Sequence, residues 1–369
     1  MRRDEVDGAA ERAVTAALGA GAEALLVPGD LWDAESVPAA SIHRTLEALA
    51  SFAPRPVFIA PGNHDFAGAG GFYDPAVLSA LGMRPWPDNV VVFRSPDWAA
   101  RAMPSREDVA VVGRAFLSPA AVAERPLLPA PPRPAVPYSL LLVHGSLDAY
   151  EGKDAPTGAK KTAPFSRREL LMAGFSWAAL GHHHHLQVVA DDAGAPRAAY
   201  SGCPTGRGLD ETGPRHFLLV TLREGQPAQV EPLPADGRTV HDLTFEARDL
   251  DAKGLVERVD SLLFREGVGT SDIVRLTLTG TQAHGARPAA ALQPLMARVK
   301  HLTVRDRTDV STITETGGMR TAEGRFTSEL LARREDAPDD ASRRVVDLAL
   351  SLGRDALVGR PIRPPEPEG

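Results

Sequence analysis

The stretch "GHHHH" at residues 181–185 places four imidazoles inside the chain, between the apolar runs "WAAL" and "LQVV". Neutral imidazole is the commonest metal ligand and also a proton carrier near neutral pH. A purification-tag remnant would sit at a terminus beside a linker, which this run does not, so a solvated polar turn is the bland alternative. Three other stretches carry related chemistry: "PGD" with Asp30, "PGNHD" with Asn63, His64 and Asp65, and "VHGS" with His144. Aspartate, asparagine and histidine supply the oxygen and nitrogen donors that suit Mn²⁺, Zn²⁺ or Fe²⁺. Taken singly these signals are weak, since a Gly-Asp pair usually marks a turn or cap and a lone histidine usually packs in a core. The Asn-His pair beside a glycine is less ordinary, because packing rarely calls for it.

Each of the four stretches follows an apolar run that reads as a strand: "EALLVP", "RPVFIAP", "YSLLLV" and "WAAL". Helical spacing over 4–19 and 41–52 separates the first of these, and alternating strands and helices argue for βαβ units in a mostly parallel sheet. The carboxyl ends of such strands face one crevice, so four loops of this kind converge on one site. The glycines permit tight turns or close backbone approach beside each projecting side chain. "NVVVF", "VAVVG" and "HFLLVTL" continue the strand series, and 127–137 is a Pro-rich connection. Residues 149–166 read as a polar, mobile loop. Asp33 and Ser36 read as helix-start caps. The texture changes after residue 235. "VHDLTFEA", a helix near 252–265, "DIVRLTLTG", a helix near 287–299 and "HLTVRD" make a β-α-β-α-β unit, followed by helices near 325–335 and 340–357. The expected division is therefore 1–235 and 236–369, the second part a small α+β domain.

Composition bounds the partners. With 369 residues, 43% hydrophobic and 24% charged, the chain can bury a large core without staples. Its one cysteine, Cys203, excludes an internal disulfide and a cysteine zinc cage, and reads as a small packed residue. The net charge of -7 does not advertise a nucleic-acid binder, although an acidic protein can carry a basic groove. No apolar stretch approaches the roughly 20 residues a bilayer requires, and the charged, amphipathic start lacks the pattern of an export signal. No membrane association is expected, and a cytoplasmic location is.

The ordered set GD, GNH[DE], a histidine after a strand, and GHxH resembles the calcineurin-like metallophosphoesterases. Within them, "GDLWD", "ALGHHHH" and "YSGCPTGRGLDETGPRHFLLV" at 200–220 are similar to the SbcD-type and YhaO-like DNA-repair nucleases. The resemblance implies a metallophosphoesterase β-sandwich flanked by helices, with a small C-terminal capping domain that binds DNA. It implies two divalent ions, with manganese favoured, and a two-metal activation of water for attack on a DNA phosphodiester. By the same resemblance Asp30 bridges the ions, Asn63, His144 and His182 complete one site, and His184 serves the other. His64 stands beside the scissile phosphate as a general acid, and Asp65 orients its loop. In an extended segment residues two apart share a side, so the run offers 182 with 184 or 183 with 185. The family's ligands follow the glycine directly, which selects His182 and His184 and turns His183 and His185 away toward solvent or outer contacts. Arg207 in "PTGRG" and Lys160 with Lys161 are candidate DNA phosphate contacts, the lysines equally readable as a solvated loop. An SbcC-type coiled-coil ATPase is the implied partner, and a homodimer fits the same picture.

The family also carries an Asp-x-His on a strand preceding the GD motif, and no such pair precedes Asp30 here. The expectation is a longer protein whose upstream strand supplies it, with a degenerate relative or a split protein as alternatives. Within this sequence one metal keeps Asp30, Asn63, His144 and His182, while the other keeps Asp30 and His184 alone. Two further functions stay open on these residues. One is a phosphatase or small-molecule phosphodiesterase, since metal motifs do not encode the leaving group. The other is a non-catalytic DNA-binding subunit.

Overall fold

The structure is a computed structural model that describes residues 2–32, 37–120, 124–150, 162–206, 208–209, 211–235, 237–248, 250–282, 287–310 and 321–357. It divides into two compact units, residues 1–241 with 269–273, and residues 242–268 with 274–369.

The first unit runs α1 (Arg2–Asp7), α2 (Ala9–Gly19), β1 (Leu25–Val27), α3 (Ala39–Ala50), β2 (Val57–Ile59), α4 (Pro75–Ala80), β3 (Val90–Val92), β4 (Ala99–Met103) and β5 (Arg106–Gly113). It continues with β6 (Tyr138–His144), α5 (Arg167–Met172), β7 (Trp177–Gly181), β8 (Gln187–Ala190), β9 (Pro196–Tyr200), β10 (His216–Thr221) and β11 (Gln229–Pro234). One sheet has the order β1-β2-β3, all parallel, a second the order β4-β5-β6-β7-β9-β8, and β10 and β11 pair antiparallel as a third. In the larger sheet β5, β6, β7 and β9 are parallel, with antiparallel strands only at its two edges.

Period-two alternation decides which side chains meet. Phe58 of β2 packs with Leu26, Val91, Val111, Leu140, Leu142 and Trp177 in a core shared by both sheets. Its neighbours Val57 and Ile59 point the other way, onto Val14, Ile42, Leu46 and Leu49 of helices α2 and α3. On the far face of the larger sheet, Val112, Leu141, Val143, Ala178 and Leu180 pack with Leu170 and Phe175. The result is a β-sandwich with helices on both outer faces, the mixed α/β architecture of the metallophosphoesterase fold. Strands buried on both faces read as continuous apolar runs, which is why β6 appears in the sequence as "SLLLV".

β1 and β10 each end their sheets. Every residue of these two strands is half-buried, whereas β2, paired on both sides, is buried throughout. Between them lies an apolar cavity of about 300 Å³, lined in part by Ala13, Ala17, Leu26, Leu180, Leu218 and Val220.

The second unit contains β12 (Val240–Glu246), α6 (Ala252–Arg265), β13 (Ile273–Thr279), β14 (Thr281–Gln282), α7 (Pro288–Ala291), β15 (His301–Asp306), β16 (Asp309–Val310), α8 (Ala322–Glu335) and α9 (Asp340–Leu357). β12, β13 and β15 form a sheet whose apolar face packs on Leu255, Val259, Leu262 and Leu263 of α6. The single helix expected over 287–299 is instead the short α7 followed by a 3₁₀ turn at Gln293–Arg298. Pro294 explains the break: it has no N–H to give and it disfavours α geometry at Gln293. The expected helix over 4–19 is likewise interrupted at Gly8, between α1 and α2. No helix among the described residues is long and apolar enough to cross a membrane.

Candidate metal centre

Four loops leave the carboxyl ends of β1, β2, β6 and β7, and they meet through close backbone contact. A Cβ on Gly181 would lie 1.8 Å from the Pro28 carbonyl oxygen, and one on Gly62 would lie 2.3 Å from Asp30 Oδ1. Any side chain at either position would push the loops apart, so glycine is required by contact rather than by turn type. Two residues between these loops hold left-handed backbone, Asp30 at φ 52° and His182 at φ 106°. Non-glycine residues adopt such angles rarely and at a cost of order 1–3 kcal/mol, and they concentrate at functional sites.

The ligand-type atoms of Asp30, His144 and His182 all lie within 4.8 Å of one another, a grouping that could hold a metal ion. His144 Nδ1 is 2.9 Å from the Pro28 carbonyl oxygen, which can only accept, so Nδ1 carries a hydrogen. Nε2 then faces two oxygens, Asn63 Oδ1 at 2.9 Å and Asp30 Oδ2 at 3.3 Å. A ring nitrogen surrounded by acceptors needs a cation there. In the metal-free protein a proton serves, and a divalent ion bound by the same atoms would replace it. The donor set of carboxylate, amide oxygen and two imidazoles fits a borderline or hard divalent ion.

The electrostatics agree. Burial pushes the Asp30 carboxyl up, but the His144 charge and hydrogen bond and the His64 backbone N–H outweigh it and hold it at about 2. Burial lowers His144, yet Asp30 and Pro28 raise it on balance, so the carboxylate favours a proton on this ring. Burial, with the positive charge of His144 beside it, depresses His182 to about 3, leaving its lone pair available at neutral pH. Between about pH 6.5 and 3 the unfolded chain therefore binds a proton that the folded ring refuses, so His182 makes stability fall as pH drops through that window. Melting temperatures of the metal-free protein should decline across that window more steeply for wild type than for His182→Gln. Parallel curves for the two proteins contradict the buried, neutral assignment.

Asp65 ties the loops together without joining the cluster. Its carboxylate is buried and accepts from Gly62 N at 2.7 Å, Asp30 N at 3.0 Å, Leu31 N at 2.8 Å and the Tyr73 hydroxyl at 2.7 Å. Burial and the nearby Asp30 charge raise this carboxyl, and the bonds from Tyr73, Gly62 and Leu31 oppose that. His64 is exposed, and its backbone N–H donates to Asp30 Oδ1 at 3.0 Å. This backbone bond holds the exposed His64 next to the cluster's anchoring carboxylate.

The histidine run does not continue its strand: β7 stops at Gly181 and β8 begins at Gln187. The strict alternation expected of an extended segment is replaced by a bend, entered at the left-handed His182. His182 faces His144, with ring centroids 5.3 Å apart. His183 turns into the core rather than toward solvent, stacked on Tyr150 at 3.5 Å with Tyr200 at its edge. His184 stands outside the Asp30 cluster, and its Nδ1 lies 2.7 Å from Glu211 Oε1. Glu211 is a buried carboxylate that the sequence reading did not single out, because its partner is 27 positions away and no local spacing signals the contact. Cys203 is half-buried, and burial pushes its thiol up to about 12, so it is a packing residue and not a nucleophile. Arg207, Lys160, Lys161, Asp33 and Ser36 lie outside the described residues.

Residues 8–186 match the family model of the calcineurin-like phosphoesterases, and the matched region holds Asp30, His144 and His182 of the donor cluster. Among curated proteins the chain is similar to an uncharacterized metallophosphoesterase, YhaO, of Bacillus subtilis (strain 168), 28% identical over 241 residues. The match covers 61% of this chain and 51% of the relative, so the chain spans about half the length of the curated protein it resembles.

Proposed function

We propose that this protein is a metal-dependent phosphodiesterase acting on DNA, with exonuclease and endonuclease character. The observation that carries the hydrolase part is the convergence of Asp30, His144 and His182 from three separate strand ends onto one point beside His64. Support for DNA comes from the likeness of "GDLWD" and of 200–220 to the repair nucleases, and from the presence of a second compact unit.

Bound divalent ions, manganese in this proposal, would supply positive charge at the phosphate and a hydroxide from coordinated water. Asp30, Asn63, His144 and His182 would hold one ion, and Asp30 and His184 would serve a second. Pro28 keeps the His144 proton on Nδ1 and so aims Nε2 inward. Asp65 holds the Asp30 and Gly62 backbones in place. His64, exposed at the mouth, delivers a proton to the leaving oxygen. Arg207, Lys160 and Lys161 would contact DNA phosphates. The natural assembly in this proposal is cytoplasmic, a homodimer joined to an SbcC-type coiled-coil ATPase.

The test is a comparison of end-labelled duplex DNA with p-nitrophenyl phosphate under Mn²⁺. Nucleotide release from DNA with little hydrolysis of the monoester is expected. Efficient monoester hydrolysis with intact DNA would instead establish a phosphatase, and tight Mn²⁺ binding with neither reaction a non-catalytic subunit.

A further inference from the structure

We propose that Glu211 is a positioning residue that fixes the His184 ring as its Nδ1–H tautomer and so presents Nε2 as a lone pair. Glu211 is 3% exposed, and a carboxylate that deep must find donors, because an unpaired buried charge is costly. Its Oε1 lies 2.7 Å from His184 Nδ1. A carboxylate only accepts, so the hydrogen sits on Nδ1, which makes Nε2 the nitrogen that can offer a lone pair to a metal. Such carboxylate-histidine pairs set which ring nitrogen meets a metal.

The main chain of His184 is gripped as firmly as its ring. Its carbonyl oxygen accepts from Arg215 Nη1 at 2.6 Å and from Cys203 N at 3.1 Å. Gly202, at φ 76°, lets the backbone pass, since a Cβ there would lie 2.5 Å from that same oxygen. Arg215 is itself held by donating to the Thr212 carbonyl at 3.0 Å. Cys203, Glu211 and Arg215 thus clamp both ends of one histidine, while the ring keeps part of its surface open, at 32% side-chain exposure. A solvated turn would need none of these restraints. That Nε2 serves a metal rests on the function proposed above, but the tautomer does not.

The experiment reads His184 directly, by long-range ¹H–¹⁵N correlation on the metal-free, histidine-labelled protein, followed by Mn²⁺ titration. Wild type should show hydrogen on Nδ1 and a pyridine-like Nε2. Glu211→Ala should lose that tautomer and bind Mn²⁺ about 10–100-fold more weakly, the usual effect of removing an outer-shell partner. Glu211→Gln, which retains an acceptor oxygen at the same reach, should keep the tautomer and recover most of the affinity. Hydrogen on Nε2 in wild type overturns the proposal, and this result needs no variant to fold. An Nδ1–H tautomer in a protein that binds no Mn²⁺ would sustain the role of Glu211 and sink the metal reading instead.

Discussion

Asp30→Asn should abolish tight metal binding and the proposed hydrolysis together while the fold persists. The carboxylate is the only anion among the grouped ligands, it stays ionised with a pKa of about 2, and it faces the His144 nitrogen where a cation belongs. Asparagine has nearly the same shape and still offers Oδ1 to the His64 backbone N–H, so the loop geometry survives. The anion does not, and with it goes the strongest attraction for a divalent ion. Loss of an outer-shell partner alone costs about 10–100-fold in affinity, so loss of this ligand should cost at least ~100-fold. In the variant His144 loses the nearer of the two carboxylates that stabilise its charge, Asp65 remaining, and the ring should give up its proton more readily. Isothermal titration with Mn²⁺, alongside a thermal melt, checks both halves. Retained affinity would mean that other residues hold the metal.

On the proposed function, His64→Ala should leave the metal in place and lower kcat on DNA by at least ~100-fold, within the range for removal of a general acid or base. The ring of His64 is not among the grouped donors, and its contribution to the cluster is a backbone N–H that alanine retains. The defect should depend on the leaving group. A p-nitrophenolate departs without protonation, so an activated diester such as bis(p-nitrophenyl) phosphate should be cleaved nearly as well by the variant as by wild type, whereas DNA should not. Equal defects on both substrates contradict proton delivery, and loss of metal contradicts the separation of roles.

How much of this was legible in the sequence follows from where each contact originates. The four strand ends were legible because apolar runs stop at glycines, and those glycines recur as contact points in the structure. The two-sheet sandwich was less so: the parallel strands were evident, but their division into two facing sheets depends on long-range pairing. The capping box of α5, Ser166 with Glu169, was written in the local sequence and passed over inside an expected loop. β11 was hidden by Pro232 and Pro234, which a paired edge strand tolerates where an interior strand would not. The burial of His183 and the pairing of His184 with Glu211 had no local signal at all, since the partners lie on other elements.

The central claim is that the loops after β1, β2, β6 and β7 form a divalent-metal centre. Anomalous diffraction from crystals soaked in Mn²⁺ tests it most directly. The account predicts a peak coordinated by Asp30, Asn63, His144 and His182, and its disappearance in Asp30→Asn. A peak elsewhere, or an empty cluster in a protein that hydrolyses phosphodiesters, would contradict it.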